Sequence, residues 1–251
     1  MSPALARCEL THLPRVPVDA VLARLQHEGY EAALAALGCT VVRVADAPDL
    51  PDAVFVEDTA VVLPEVAVVT RPGAASRRPE TAATAHALAA WRPVRFIEEP
   101  GSLDGGDVLR LGRRLYVGAS GRSNASGIGQ LRSLLAPLGY AVEAVPFAAC
   151  LHLKSAVTAV AGDRILVNPA WVDPARFEGV AALETDPAEP HAANALIVGD
   201  AVVYPESFPR TRSRLLAAGV AVTAVDVSEL QKAEGAVTCC SLVFEAPAGA
   251  R

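Results

Sequence analysis

The chain has 251 residues, with 22 basic and 28 acidic side chains, a net charge of −6, and 52% hydrophobic against 20% charged residues. This length and apolar content suffice to bury a sizeable core without staples and exclude intrinsic disorder. The acidic balance argues against a nucleic-acid binder held by a basic surface. Charged, Gly or Pro residues cut every apolar run well short of the roughly 18 residues that a membrane span needs.

The N-terminus shows no charged-then-apolar leader, and the five cysteines lack the spacing of a disulfide scaffold. The expected compartment is therefore a reducing cytoplasm. In chain order, Asp19 is placed to cap a helix that reaches Leu37 and stops at Gly38, with Val41, Val42 and Val44 as the next strand. A first β-rich segment covers 54–63, followed by an Ala-rich helix over 79–91 and a strand over 94–97. A second β-rich segment covers 103–111, turns at Gly112-Arg113 and resumes over 115–117. Residues 124–138 carry Ile128, Leu131, Leu134 and Leu135 at helical spacing, and a strand follows over 142–145. The third hairpin pairs 157–160 with 165–167 across Gly162-Asp163, and only a weak helical stretch follows over 173–183. The fourth pairs 195–198 with 202–204 across Gly199-Asp200, before a helix over 207–218 and a strand over 220–225. A fifth β-rich segment covers 237–244, and an Ala/Pro/Gly tail at 246–251 is expected to fray.

Each β-rich segment begins near a polar or reactive residue: Asp58, Asp104, His152, Asn194 and Cys239, at separations of 42 to 48 residues. A near-constant period of this size signals repeated supersecondary units. The reading is a single α/β domain over 1–251, a five-bladed pseudo-symmetric propeller of ββαβ repeats. Its first unit takes helix and strand from the N-terminus and splits its hairpin between the chain ends. The competing arrangement is an open doubly wound sheet, which also alternates β and α but requires no hairpin every 45 residues or so.

Equivalent positions of a ring of repeats converge on its axis. Asp58, Asp104, His152 and Cys239 are then neighbours: one thiol, one imidazole and two carboxylates. An ionised cysteine is a strong nucleophile, an imidazole moves protons near neutral pH, and a carboxylate fixes its tautomer. Asp52, Glu57 and Asp58 add negative charge at one pole, which favours a cationic planar substrate such as a guanidinium. If 237–244 is a strand, Cys239 and Cys240 point to opposite faces, and the repeat phase favours Cys239. Cys8, Cys39 and Cys150 read as core thiols, and His12, His27, His86 and His191 as surface or capping groups. Neither CxxC nor HExxH occurs, so no metal is expected. The absence of GxGxxG and GxxxxGK[ST] gives nucleotide binding no support.

Six motifs resemble the dimethylarginine dimethylaminohydrolases in order along the chain. They are Phe55-Val56-Glu57-Asp58-Thr59-Ala60, Thr70-Arg71-Pro72-Gly73 with Ala74-Ala75-Ser76-Arg77-Arg78, Leu103-Asp104-Gly105-Gly106-Asp107-Val108-Leu109, Gly121-Arg122-Ser123-Asn124, Leu151-His152-Leu153-Lys154-Ser155 and Thr238-Cys239-Cys240-Ser241. That family belongs to the guanidine-modifying superfamily, whose fold is a five-bladed α/β propeller. The resemblance implies hydrolysis of Nω-methylated arginine to citrulline and methylamine or dimethylamine, with no cofactor and a small-molecule partner. It implies Cys239 as the nucleophile, His152 as the proton carrier and Asp104 as the acid beside that histidine. It further implies Asp58 at the guanidinium nitrogens, Asp52 and Glu57 shaping the pocket, Arg77 and Arg122 at the substrate carboxylate, and the Leu10 backbone carbonyl at the α-amino group. The proline-rich stretch 12–18 is a candidate lid. The chain is expected to work as a monomer or homodimer, away from nucleic acid and membrane. The alternatives are an arginine deiminase, for whose extra helical domain the chain has no room, a longer amidinotransferase, and a non-catalytic propeller that only binds.

Overall fold

The computed structural model describes residues 1–45, 47–161 and 163–246. Among them the strands form four separate three-stranded sheets, each a hairpin plus a third strand parallel to the hairpin's second strand. The first sheet contains β1 (Ala60–Val62), β2 (Ala67–Val69) and β3 (Val94–Phe96), and the second β4 (Val108–Leu111), β5 (Arg114–Gly118) and β6 (Ala141–Val145). The third contains β7 (Val157–Ala161), β8 (Arg164–Val167) and β9 (Ala181–Glu184), and the fourth β10 (Leu196–Val198), β11 (Ala201–Pro205) and β12 (Ala221–Val225).

A parallel third strand needs a crossover, and three of the four sheets use a helix for it. These are α2 (Thr81–Ala89), α3 (Ala125–Leu135) and α5 (Pro209–Ala217). The weak stretch after the third hairpin yields only a single 3-10 turn, Pro174–Arg176. Sequence chemistry explains the helix starts. Asp19 Oδ1 accepts from the backbone N–H groups of Val21 and Leu22 and opens α1 (Ala20–Ala36); Asn124 Oδ1 accepts from Gly127 and opens α3.

The central strand of each sheet is covered on both faces, which is why these strands are runs of Val, Ile and Leu. Apolar clusters join each sheet to the next. Leu63, Val68, Leu115 and Leu131 tie the first to the second; Tyr116, Leu153, Val157 and Ile165 tie the second to the third. Leu166, Val202, Tyr204 and Leu215 tie the third to the fourth. The fourth sheet in turn meets the N-terminal segment, where Leu5, Tyr30, Leu34, Val203, Leu230 and Val237 share one cluster.

The expected fifth unit differs. Helix α1 is present, but among the described residues 41–44 are assigned to no strand, and Val41 and Val42 are exposed. Residues 237–244 form turns and irregular chain, with Cys239 N–H donating to Ala236 and Ser241 N–H to Thr238. The two chain regions assigned to the split hairpin do meet, through Glu57 N–H donating to the Cys239 carbonyl at 3.1 Å, but they build no ladder. Close turns around the cysteine take the backbone groups that a strand would have offered. The fold is a mixed α/β arrangement of small sheets. Of the tail expected to fray, 247–251 lie outside the described residues, as does Gly162 in the third hairpin turn. No helix among the described residues is long and apolar enough to cross a membrane.

Candidate active site

The expected residues come from four chain regions. Glu57 and Asp58 lie on a 3-10 turn, Val56–Thr59, that leads into β1, and Asp104 caps a second, Gly105–Asp107, that leads into β4. His152 caps a short helix, α4 (Leu153–Ala156), ahead of β7, and Cys239 sits in the turn that replaces a fifth hairpin. The repeat phase thus delivers all four to one place, although the last arrives by a turn and not a strand. The strand alternation invoked for Cys239 and Cys240 does not apply. Their separation still holds: Cys239 is half-buried on the cavity wall, and Cys240 is buried in the core.

Two glycines make the convergence possible. A Cβ on Gly105 would lie 1.9 Å from the Glu57 carbonyl oxygen. One on Gly106 would lie 2.6 Å from His152 Nδ1 and 2.7 Å from Asp58 Oδ1. The backbone of this loop therefore serves as part of the site: Gly106 N–H donates to Asp58 Oδ1 at 2.9 Å.

His152 Nε2 lies 3.0 Å from Asp104 Oδ2, while Nδ1 lies 3.8 Å from Asp58 Oδ1. Asp104 is fully buried and its other oxygen accepts from Gly73 N–H at 2.8 Å, so its orientation is fixed. Burial opposes a charge on His152, but Asp58, Asp104 and Asp107 outweigh it and raise the imidazole to about 9. Burial likewise opposes ionisation of Asp58, yet His152 and Arg77 hold its carboxyl down at about 2. For Cys239 all the main influences point one way. Burial, then the Glu57 and Asp58 charges, push the thiol up to about 12. The resting arrangement is a neutral thiol facing a protonated imidazole among carboxylates.

Cys239, His152, Asp58, Asp52, Arg77 and Arg122 line one cavity with Glu9, Glu234 and others. About 20 Å³ of space remains inside, enough for a water molecule. Asp104 stands behind His152 and Glu57 behind the cysteine turn, neither on the cavity wall. Glu57 accepts from Lys154 Nζ and from Thr238 Oγ1 at 2.7 Å, and Asn194 donates to Thr238 Oγ1 and accepts from its N–H. These contacts clamp the residue before Cys239. Leu10 is half-buried and packs on the core cluster that includes Cys239.

Arg77 is placed differently from the expectation of a substrate-carboxylate ligand. It is 4% exposed, its Nη1 donates to Asp58 Oδ2, and its Nε and Nη2 meet Glu80. Nη2 also donates to the Phe55 carbonyl at 2.9 Å. All its partners are acceptors of this chain, so it holds Asp58 in position and charge. Arg122 remains more open, with Nη2 donating to Thr11 Oγ1 at 3.0 Å.

Asp58, Asp104 and His152 offer ligand atoms within 4.8 Å of one another, the spacing of a metal site. Asp58 Oδ2 and Asp104 Oδ1 are taken by Arg77 and Gly73, and the Arg77 guanidinium adds a fixed cation beside the cluster. The set suits proton transfer better than a divalent ion.

No protein-family model matches the sequence. An N(G),N(G)-dimethylarginine dimethylaminohydrolase from Streptomyces coelicolor is 44% identical over 243 residues, which are 96% of this chain and 93% of that protein. The chain belongs to the dimethylarginine dimethylaminohydrolase family. A second dimethylarginine dimethylaminohydrolase, from Pseudomonas aeruginosa, is 34% identical over 221 residues and 87% of each chain. The solved structure of a dimethylarginine dimethylaminohydrolase from Pseudomonas aeruginosa, a cysteine-to-serine variant complexed with citrulline, superposes with a TM-score of 0.92. It is 32% identical and covers 97% of this chain and 96% of that one.

Three groups of the site escape a reading of the dimethylarginine dimethylaminohydrolase motifs alone. Asp107 is fully buried, accepts from Ser120 Oγ, Ser123 Oγ and Leu153 N–H, and contributes to the charge on His152. Its place three residues after Asp104, and the two serines at 120 and 123, were the available signals. Glu80 follows Arg77 by one helical turn, a spacing that pairs side chains. Glu234 has no motif around it.

Proposed function

We propose that the chain hydrolyses Nω-methylated L-arginine, both monomethyl and asymmetric dimethyl, to L-citrulline and methylamine or dimethylamine. The observation that carries this reading is the pairing of His152 with Asp104 on the same cavity as the Cys239 thiol and the Asp58 carboxylate. Membership of the family, and a relative whose structure holds citrulline, support the substrate class.

In this reading Asp58 receives the guanidinium nitrogens. The free enzyme holds Cys239 protonated; the arriving substrate cation favours its ionisation, and the thiol proton leaves to solvent as the substrate binds. The sulfur attacks the guanidinium carbon, and the carbon–nitrogen bond to the methylated amine breaks as His152 gives that nitrogen its proton. An S-alkylthiouronium on Cys239 remains. His152, now neutral, takes a proton from water, the hydroxide adds to the same carbon, and the carbon–sulfur bond breaks to release citrulline and restore the thiol. Asp104 holds the imidazole ring for both transfers. Arg122 receives the substrate carboxylate, and Arg77, on the same cavity wall, supports that pole and together with His152 keeps Asp58 ionised. Asp52 bounds the amino-acid end, Glu57 stiffens the cysteine turn, and the Leu10 carbonyl meets the α-amino group.

We read the fold as a five-sector pseudo-symmetric α/β propeller working as one catalytic domain. Four sectors correspond to the four sheets, and the fifth to α1 with the turn around Cys239. Five free cysteines favour a reducing cytoplasm. The unit is assigned as a monomer or homodimer that acts on a small molecule.

The test is citrulline release from monomethyl-, asymmetric dimethyl- and unmethylated arginine in parallel. Turnover of the methylated substrates is expected. Turnover of arginine alone would make the chain a deiminase, and turnover of none would leave a binding module.

A further inference from the structure

The cavity described above is tight. Its free space holds a water and no more, so an amino-acid-sized substrate enters only after part of the wall moves. Glu9 is part of the cavity wall, and the segment 9–13 that begins there is attached almost wholly through side chains. Glu9 N–H donates to both oxygens of Asp52 at 3.1 and 3.2 Å, and Thr11 Oγ1 accepts from Arg122. The densest attachment is Glu234. Its Oε2 accepts from Thr11 N–H at 3.0 Å, and its Oε1 accepts from His12 N–H and Leu13 N–H at 2.5 Å each. One carboxylate thus gathers three successive backbone donors that have no sheet or helix to satisfy them.

Glu234 itself sits in the left-handed backbone region, at φ 57°, where a glutamate is disfavoured relative to glycine. The next residue is Gly235, which shares the cavity wall. A glycine at this position would relieve the backbone but would lose all three contacts to the segment 11–13. From this the geometry points to Glu234 as the latch of the active-site lid. Its carboxylate holds segment 9–13 closed over Cys239 and His152, and release of these three donors opens the cavity to an amino-acid-sized guanidinium. Glu234 is a positioning residue, not a catalytic one, because its carboxylate is turned to the lid. The proposal rests on the reading of this cavity as the reaction site.

Alkylation of Cys239 tests it without any substrate, so that failure of the latch and failure of the proposed reaction are told apart. The half-buried Cys39, which does not line the cavity, serves as the internal standard. The reagents are iodoacetamide and a bulky maleimide, followed by peptide mass spectrometry. Glu234→Gly relieves the backbone strain and removes the latch; Glu234→Gln removes its charge and keeps its shape; Glu234→Asp keeps the charge on a shorter arm. The expected result is a rise in the Cys239 to Cys39 ratio of about ten-fold or more for the maleimide in Glu234→Gly and Glu234→Gln. The rise is smaller for iodoacetamide, and partial recovery is expected in Glu234→Asp. Equal acceleration by both reagents would mean a change in thiol ionisation alone and would overturn the latch, as would a wild-type ratio in Glu234→Gly.

Discussion

Nε2 of His152 and Oδ2 of Asp104 are 3.0 Å apart, with the carboxylate fully buried and its second oxygen fixed by a backbone donor. This contact is one of the reasons the imidazole stays protonated to about 9. The sign follows directly: a neighbouring negative charge favours the cation, so removing it lowers the pH at which the proton is lost. Asp104→Asn is expected to move the alkaline limb of kcat downward from about 9 and to lower kcat at pH 9 by about ten-fold or more. A pH–rate profile of the two proteins checks this; superimposable limbs would remove Asp104 from the proton-transfer unit.

Arg77 and Arg122 separate a structural from a substrate-binding role. Arg77 joins Asp58 and Glu80 in a buried triad, so Arg77→Ala leaves the buried Glu80 carboxylate without its cation and weakens the hold on Asp58, at an expected cost of about 3–5 kcal/mol of stability. It also raises KM, because Asp58 loses one of the two charges, His152 being the other, that keep it ionised and in place. Arg122→Ala is expected to raise KM at least as much while costing less than about 1 kcal/mol. Urea unfolding beside steady-state kinetics distinguishes them, and equal stabilities would contradict the triad's structural part.

The glycine pair offers a prediction independent of charge. A methyl group on residue 105 has only 1.9 Å to the Glu57 carbonyl, so Gly105→Ala forces apart the two turns that carry Asp58 and Asp104. The expected loss is about 1–3 kcal/mol or more, with activity falling further than stability alone explains. Unfolding midpoints with activity of the folded fraction check it. Gly129→Ala, where a Cβ would meet nothing within 4 Å, serves as the tolerated control.

Much of this site was legible in the sequence because repetition is a local signal. Segments of hairpin character recur every 42 to 48 residues, and their shared phase pointed to Asp58, Asp104, His152 and Cys239 before any contact was known. Helix α1 announced itself through Asp19, and α3 through the helical spacing of Ile128, Leu131, Leu134 and Leu135. The 41–44 stretch, which is assigned to no strand, and the turn at 237–240 escaped because β propensity describes a side chain's fit to a sheet, not whether a partner strand is present. Arg77 looked like a ligand for an outside carboxylate, since nothing local reveals that Asp58, nineteen positions earlier, already holds it. Glu234 escaped for the same reason: its three donors lie 221 to 223 residues away.

The central claim is that Cys239 attacks the guanidinium carbon, with His152 supplying and recovering the proton. Acid quenching during turnover of asymmetric dimethylarginine, followed by peptide mass spectrometry, observes this step directly. The account predicts a mass increase matching the thiouronium on the peptide that contains Cys239, localised to that sulfur, and its loss together with citrulline formation in Cys239→Ser. An adduct on Cys240, or undiminished citrulline release by folded Cys239→Ser, would contradict it.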